Sequence, residues 1–488
     1  MTGARTYVLS PRDRTGVLLG LDGAQVAILG LAVVVFVFAT TLAGLPVALI
    51  GASGLAVVAV RVDDRPILAV VPAQLRRVRD VLGNPPRWFA ELPVTGSGAP
   101  LPPALDGQVI LEVPADGIDV DGRSGPVAVV HDRVRRCVAV TLRARGRRFA
   151  LLDRDEQDRL AQLWGDALAP FASAASPITA VRWAEWTGPA GLQEQRAWLA
   201  ERGRREAPDY AALLETAAPA VAAHEVLVTL VASDRTVGLR RSSRRSVAAA
   251  SESLLAEARL FGQRLDAAGI EVVGPLTAAE LRGATRVRLD PGARCGLEGV
   301  RTLGERIGVV AEDGGPLAAQ RHWRHWAVDG SVHRVFYVAE WPRLPVTADW
   351  LQGVLLHAGL VRTVAVTYEP VSPSSSRRKV ERQATKLATD AEQRERSGFR
   401  VGGQHDRVAR AVLEREQELV AGFAEFRYVG LVDVCAPDVS ELDRACEELV
   451  QVAAAAGVEL RPLHGRHDAA VAAVLPLART AAGTGLRP

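Results

Sequence analysis

Residues 23–60 read GAQVAILGLAVVVFVFATTLAGLPVALIGASGLAVVAV, and this run of 38 residues contains no charged side chain. It lies between Asp22 and Arg61. A helix that crosses a bilayer needs about 20 apolar residues, so the run is too long for one span and has the length of two short ones. Gly44 and Pro46 lie near its middle, where a tight turn is required. The run therefore predicts a transmembrane helical hairpin.

Two other interpretations of the run are a signal peptide and a buried helix of a soluble protein. A signal peptide has an apolar core of about 7–15 residues, followed by a cleavage site. This run is more than twice as long and ends in arginine-rich sequence. A soluble amphipathic helix repeats polar residues on its outer face, and here only Gln25 and a few threonines and serines are available. The composition favours the membrane hairpin.

The flanks of the run predict its orientation. Arg5, Arg12 and Arg14 precede it, and many further arginines follow it. Arginine next to short spans stays on the cytoplasmic side, and two spans return the chain to the side on which it started. We therefore expect a multi-pass protein of the cell membrane with both termini in the cytoplasm, in contact with membrane lipid. The residues expected to contact the anionic head groups are Arg76, Arg77 and Arg79.

The rest of the chain alternates strand and helix patterns in an order that occurs twice. Residues 267–272 read AAGIEV and lead to Pro275, and residues 455–460 read AAGVEL and lead to Pro462. In both places a glycine ends a helix by taking a left-handed conformation, and a strand begins at once. The pattern predicts an internal duplication of αβ units, each a sandwich of helices on a sheet.

The predicted fold class is a membrane-anchored α/β (α+β) protein in which the transmembrane hairpin precedes two tandem, duplicated αβ sandwich subdomains. The predicted organisation is a cytoplasmic N-terminal segment (1–22), the hairpin (23–61), a basic juxtamembrane region and linker (62–124), a first αβ subdomain (125–290), a linker (291–315), a second αβ subdomain (316–477) and a disordered tail (478–488).

Composition and motifs give few candidates for chemistry. The formal net charge of +3 on 488 residues does not favour nucleic acid as a partner. No phosphate-binding Gly-x4-Gly-Lys-Ser/Thr loop is present, and the four cysteines form no Cys-x-x-Cys pair, so they are expected to be reduced and structural. We predict no catalytic residue, no cofactor and no metal.

Histidine pairs and basic loops are the remaining motifs. The pairs His322/His325 and His464/His467 have the spacing of metal ligands on a helix, but arginine adjoins each pair, so hydrogen-bonding or solvated histidines are the preferred interpretation. Residues 240–245 and 374–379 combine serine with basic side chains, which suits either contact with phosphate or simple hydrophilic connections.

Several stretches resemble one family. They are the hairpin itself, LFGQRL at 260–265 with GPLTAAEL at 274–281 and RVRLDP at 286–291, GPLAA at 315–319 leading to Trp323, and AAVAAVLPL at 469–477. Together they resemble actinobacterial integral membrane proteins from gene clusters for conjugation-like or type IV secretion-like transfer. Such proteins look like a PrgI-type membrane subunit fused to the amino-terminal, non-ATPase half of the conjugative secretion ATPase.

The resemblance implies a non-catalytic inner-membrane scaffold subunit that docks a separate ATPase and other membrane subunits of the transfer apparatus, with homo-oligomers also expected. It carries over no catalytic residue, because the half that it resembles contains none. Two alternatives stay open at this point. One is a type VII secretion membrane subunit of the EccE kind, and the other is a membrane-tethered enzyme.

Overall fold

The structure is a computed structural model. It describes residues 101–114, 125–145, 149–189, 208–217, 222–237, 244–292, 315–396 and 403–481, with short pieces at 7, 30–34, 36–38, 40, 61–62, 65–66, 78 and 87–90. Near the start of the chain, β1 (Arg61–Val62) and β2 (Arg65–Pro66) form an antiparallel pair, and β3 (Arg87–Phe89) joins the edge of a sheet of 13 described strands.

The other twelve strands of this sheet belong to two repeats of six. The first repeat has strands β4 (Gln108–Val113), β5 (Val127–Asp132), β6 (Cys137–Arg145), β7 (Ile178–Pro189), β8 (Ala222–Ser233) and β9 (Glu271–Pro275), with helices α1 (Arg154–Leu168), α2 (Pro208–Ala217), α3 (Arg244–Ala267) and α4 (Ala278–Leu289).

The second repeat follows the same order with one more helix. It has strands β10 (Ala318–Arg321), β11 (Trp326–Val328), β12 (Ser331–Glu340), β13 (Val361–Val371), β14 (Glu425–Ala436) and β15 (Glu459–Pro462), with helices α5 (Gln352–Leu355), α6 (Pro373–Arg396), α7 (Gly403–Val420), α8 (Val439–Ala455) and α9 (His467–Val474).

Each repeat contains a split βαβ arrangement of the ferredoxin-like kind. Strands β9, β6, β8 and β7 lie side by side in that order and are antiparallel to their neighbours, so β6 and β7 are parallel with β8 between them. Strands β15, β12, β14 and β13 repeat this order. A hairpin extends the sheet in each repeat. The β4–β5 hairpin pairs with β6, and the β10–β11 hairpin pairs with β12. This is the order β-α-β-β-α-β with the third strand inserted between the first two.

The equivalence of the repeats extends to single hydrogen bonds. The Leu276 amide donates to the Thr141 carbonyl at 2.9 Å, and the Leu463 amide donates to the Val335 carbonyl at 2.9 Å, at the same place in the second repeat. The predicted left-handed glycines are confirmed, since the φ angle is +80° at Gly269 and +74° at Gly457. A side chain at either position is strained, so glycine is favoured at the ends of α3 and α8.

The two repeats share one sheet, and the predicted arrangement as two tandem sandwich subdomains is wrong. Strand β7 pairs with β13 in antiparallel register, and Ala184 lies opposite Ala365 at the seam. Without the other repeat, β7 and β13 would each be an edge strand with unpaired amide and carbonyl groups. Pairing β7 with β13 satisfies the hydrogen-bonding groups of both strands. The seam relates the repeats by an approximate twofold axis between the two alanines.

The hydrophobic cores confirm that the repeats form one body. On one face of the sheet, α1 and α3 cover the first repeat and α8 covers the second, and each repeat has a separate core there. On the opposite face a single core extends across both repeats beneath α4, α9 and residues 475–481. That shared core contains the alanine-rich helix α9, in which residues 470–473 are fully buried. Small side chains there let α9 lie close to the sheet.

The predicted transmembrane hairpin, the membrane-anchored fold class and the multi-pass location are contradicted. Within the part of the chain that the structure describes, no helix has both the length and the apolarity needed to cross a bilayer. A spanning helix needs about 20 residues to cover the hydrocarbon core. The described helical residues of the predicted hairpin are 30–34, 36–38 and 40. The rest of residues 23–60 lie outside the described residues.

Two predicted boundaries differ from the observed elements. Strand β4 falls within residues 62–124, which were predicted as juxtamembrane region and linker. Ala478 and Arg479 belong to the predicted disordered tail, yet both side chains are buried. The predicted linker at 291–315 lies mainly outside the described residues, apart from residues 291, 292 and 315.

Candidate functional site

The two histidine pairs that the sequence singles out meet around Trp323. His322 and His325 flank the turn between β10 and β11, and their rings stack with centroids 4.3 Å apart. The ring of His464 stacks on Trp323 at 5.9 Å and contacts His467 edge-on at 6.0 Å. His464 lies in the loop between β15 and α9, and His467 is the first residue of α9. The cluster thus joins the β10–β11 hairpin to the start of α9.

Burial and neighbouring charges lower the pKa values of His322, His325 and His467. Burial, with Arg87 as a smaller cause, lowers the pKa of His322, and burial, His322 and Arg334 lower the pKa of His325 to about 4. Burial lowers the pKa of His467 well below its ordinary value. Its Nδ1 accepts the Val335 amide at 3.2 Å. The cluster therefore packs the β10–β11 hairpin and β12 against the start of α9.

The described histidine, cysteine and carboxylate side chains nowhere converge in threes as a metal site. Asp443 lies near enough to raise the pKa of His325, but Arg87 lowers the pKa of His322 and Arg334 lowers the pKa values of His325 and His467. A cation would be repelled by these guanidinium groups. The preferred interpretation of the sequence, hydrogen-bonding histidines, therefore fits His467.

A buried His-Asp-Cys arrangement lies at the end of α4. His333 on β12 contacts Asp433 on β14 with Nδ1–Oδ2 at 3.0 Å, and its Nε2 donates to the Leu289 carbonyl at 2.8 Å. Cys435 Sγ lies 3.7 Å from the same Nε2. Burial lowers the pKa of His333, but Cys435 and Asp433 outweigh this and raise it well above its ordinary value. The resulting imidazolium binds the carbonyl end of α4, where positive charge is favoured.

This arrangement resembles a nucleophile, base and acid in series, but its contacts are those of a structural link. The histidine proton that would face the thiol is donated to Leu289, and all three side chains are buried. Cys137 and Cys446 are also structural. Burial and nearby carboxylates raise the pKa of Cys137 to about 12, and burial raises that of Cys446 to about 12. A thiol with so high a pKa is a poor nucleophile at neutral pH. Cys295 lies outside the described residues.

A buried arginine that the sequence analysis did not single out binds residues 473–479 of the second repeat, which we call its chain end. Arg182, on β7 of the first repeat, donates to the carbonyls of Ala473, Leu477 and Arg479 at 2.9, 2.7 and 2.5 Å. Burial and the charge of Arg288 lower the pKa of Arg182 to about 9. A lone arginine within an apolar strand is the signal that could have revealed it.

Further side chains of the first repeat bind the same chain end. The Thr141 hydroxyl donates to the Pro476 carbonyl at 3.1 Å, and the Ala478 amide donates to Gln108 Oε1 at 3.1 Å. Arg479 pairs with Asp132 at 3.0 Å and donates to the Ala104 carbonyl. The end of the second repeat is therefore bound by the first, just as the end of α4 is bound by His333 of the second.

Each repeat inserts helices at the same place, between β7 and β8 in the first repeat and between β13 and β14 in the second. The first inserts α2 and the second inserts the antiparallel pair α6–α7. Because β7 and β13 run antiparallel, the two insertions leave opposite ends of the sheet. At the base of the second, the side chains of Ser376, Val380 and Val412 are buried. The predicted basic loop at 374–379 is thus the first turns of α6, with Arg377, Arg378 and Lys379 exposed.

The outer side of α7 carries an exposed apolar strip, made of Leu413, Val420 and Phe423, which are 55%, 83% and 66% exposed. At 100° per residue, Leu413 and Val420 lie about 20° apart around the helix. Exposed Glu416 lies next to these two residues on one side of the helix, about 60° from Leu413, and exposed Gln417 and Arg410 lie next to them on the other side, about 40° and 60° from Leu413. We call Leu413, Val420 and Phe423 the α7 strip. In the first repeat, Tyr210 and Leu213 of α2 are similarly exposed, at 45% and 61%.

The local sequence fixes the α7 strip in place. Gly422, with φ of +91°, ends α7, and the Phe423 amide donates to the Glu418 carbonyl at 3.0 Å, which is a Schellman motif. Arg415, on the side of α7 toward α6, donates to Gln383 at 3.3 Å and pairs with Glu425 at the start of β14. The helix is therefore tied to its partner helix and to the sheet.

The other predicted site residues do not join a common site. The predicted lipid contacts Arg76, Arg77 and Arg79 lie outside the described residues. Arg244 and Arg245 begin α3, and Arg240 and Arg241 lie outside the described residues. An apolar cavity of about 20 Å³ lies beneath Trp341 in the core of the second repeat, far below the several hundred cubic ångströms of a typical ligand site.

No protein-family model matches this chain, and no curated protein matches it significantly.

Proposed function

We propose that this protein is a non-catalytic scaffold subunit of a type IV secretion-like or conjugative transfer apparatus, and that it docks a separate ATPase. The observation that carries the proposal is the α7 strip, an exposed apolar surface on an insertion that is fixed to the sheet. A surface of this kind is typical of protein–protein contacts.

The resemblance of residues 260–291, 315–323 and 469–477 to the non-ATPase half of the conjugative ATPase supports the choice of apparatus. Those stretches fall on α3, β9, α4, β10, α9 and the chain end bound by Arg182. Phe261 and Leu265 of α3 lie in the separate core of the first repeat, and the other stretches contribute to the core that the two repeats share. A scaffold that repeats the fold of the ATPase's own accessory half provides a surface for that ATPase.

The buried charged groups support a structural function over catalysis. Arg182 binds the chain end, and His333 binds the end of α4. Arg288 lies between Glu225, at 2.8 Å, and the ring of Trp186, whose centroid is 5.8 Å from the guanidinium carbon. Each of these groups links one element to another. Such links make the body rigid, as a platform requires.

The test is capture of the full chain from its native host, with chemical cross-linking and identification of the bound proteins by mass spectrometry. Recovery of an ATPase with type IV signatures is the expected result. Recovery of type VII core subunits without that ATPase would instead favour the EccE-like alternative. A turnover by the purified protein that one substitution abolishes would favour the enzyme.

A further inference from the structure

The outer side of β4 forms the end of the sheet in the first repeat. In the second repeat, β3 pairs with the outer side of β10, and Trp88 lies opposite Ala319. Gln108 of β4 holds the position of Ala319, because the two lie opposite Asp132 and Val328, the last residues of β5 and β11. Within the described part of the chain, no strand pairs with the outer side of β4. The position that β3 fills on the second repeat is therefore open on the first.

The backbone of β4 presents hydrogen-bonding groups to this open side. The Arg133 amide donates to the Gly107 carbonyl at 2.9 Å, so the odd-numbered residues of β4 bond to β5. Because hydrogen bonds alternate along an antiparallel strand, the amides and carbonyls of Gln108, Ile110 and Glu112 point away from β5. Natural edge strands are usually short or carry lysine, proline or a bulge. Strand β4 reads QVILEV and has none of these protections, whereas β3, at the other end of the sheet, has only three residues.

We propose that β4 pairs in antiparallel register with β4 of a second copy, so that two sheets join into one across a twofold axis. The chain already joins its own repeats in this way, because the equivalent strands β7 and β13 pair antiparallel about Ala184 and Ala365. A twofold contact requires a surface that is complementary to itself, and the edge of an antiparallel strand has this property. The inference goes beyond the docking function and does not depend on it.

The outward groups of β4 define the register of the pairing. An axis through Ile110 places Gln108 opposite Glu112 of the second copy, so all three outward residues of each copy bond, which gives about six main-chain hydrogen bonds. The same register places Val109 opposite Leu111 of the second copy, and apolar cross-strand pairs stabilise a sheet. The two Glu112 residues are then about 14 Å apart, so their like charges do not face each other.

Sedimentation velocity of the full chain tests the dimer. We expect a dissociation constant on the order of 1–100 μM, as suits a small contact. The variant I110P removes the amide hydrogen at the axis but none of the bonds to β5, and proline is tolerated where an edge-strand amide faces outward. I110P should weaken the dimer about tenfold or more, because two of the intermolecular bonds are lost. The matched control I110V keeps the amide and should leave the dimer unchanged.

Cysteine cross-linking tests the register in a chain that keeps every backbone amide. The two Ile110 Cα atoms are about 5.5 Å apart in the proposed register, which is within disulfide range. I110C should therefore give a cross-linked dimer under mild oxidation. E112C should not, because about 14 Å separates its two copies and a disulfide requires less than about 7 Å. The parent chain, with its natural cysteines, measures the background.

Amide hydrogen exchange at Ile110 shows whether the edge is open in the single chain. Exchange should be fast at about 1 μM protein and slower at about 200 μM, where the dimer forms. Slow exchange in the dilute monomer would overturn the inference, because another segment of the same chain would then cover the edge. A chain that stays monomeric at about 200 μM would also overturn it, as would I110C that cross-links no faster than E112C. If I110P does not fold, the cross-linking and exchange results decide.

Discussion

Replacing Arg182 with methionine tests whether the first repeat holds the end of the second. Methionine fills much of the same volume but cannot donate to the carbonyls of Ala473, Leu477 and Arg479. A buried acceptor that loses its donor costs about 1–3 kcal/mol, so three such acceptors cost about 3–9 kcal/mol. Removing a guanidinium whose pKa is lowered to about 9 by burial recovers part of this. We expect a net destabilisation of about 3 kcal/mol.

Urea unfolding followed by tryptophan fluorescence measures this loss. With a slope of about 3 kcal/mol per molar urea, the midpoint should fall by about 1 M. Hydrogen exchange should also become faster at the Ala478 amide, which donates to Gln108 in the native protein. Lysine at 182 should recover only part of the stability, because a single ammonium group cannot reach three carbonyls as the planar guanidinium does.

The matched control is R159M. Arg159 lies on α1 and pairs with Glu156 at 3.3 Å while 66% exposed, so its loss should change stability by no more than about 0.5 kcal/mol. If R182M also changes stability by less than about 1 kcal/mol and leaves exchange at Ala478 unchanged, the reasoning about the chain end is refuted.

Three other predictions concern stability. The pKa of His333 is raised in the folded state, so its contact with α4 contributes its full stabilisation below the unfolded-state pKa of about 6.5. This stabilisation is lost as the pH rises through the folded-state pKa of His333. The variant H333L should remove this pH dependence of the urea midpoint. T277A should cost about 1 kcal/mol, because the Thr277 side chain caps α4 in a capping box, and a stability unchanged within error would contradict this. G430A places a Cβ 2.9 Å from the Trp341 ring and should cost about 2 kcal/mol in thermal unfolding, whereas G165A, which meets no atom within 4 Å in α1, should stabilise by about 0.5–1 kcal/mol.

Local signals in the sequence predicted local structure. Asp153 accepts the Glu156 amide at 2.9 Å and caps α1, which is a contact between near neighbours, and Gly269 and Gly457 take the left-handed conformation expected of them. These features depend on a few neighbouring residues and on the absence of a Cβ. The order of strands and helices depends on the periodicity of apolar residues, which is also local.

The features that sequence reasoning missed depend on pairing between distant segments. Nothing near Ala184 or Ala365 in the sequence indicates that they face each other across the seam, because register is set by the twist and packing of the whole sheet. The contact between Arg182 and the chain end spans almost 300 residues. The transmembrane hairpin is predicted from the length of one uncharged run, from Gly44 and Pro46 near its middle and from the arginines around it, and such local features do not distinguish every apolar run from a bilayer span.

Strand β3 has a consequence for how the protein is made. Residues 87–89 pair with β10 at 318–320, so the two strands are separated by about 230 residues of chain. At translation rates of roughly 5–20 residues per second, β3 leaves the ribosome roughly 10–50 s before its partner exists. Throughout that interval the backbone of β3 has no partner strand and is open to incorrect pairing. Correct assembly during synthesis therefore requires β3 to stay unpaired until the second repeat has emerged.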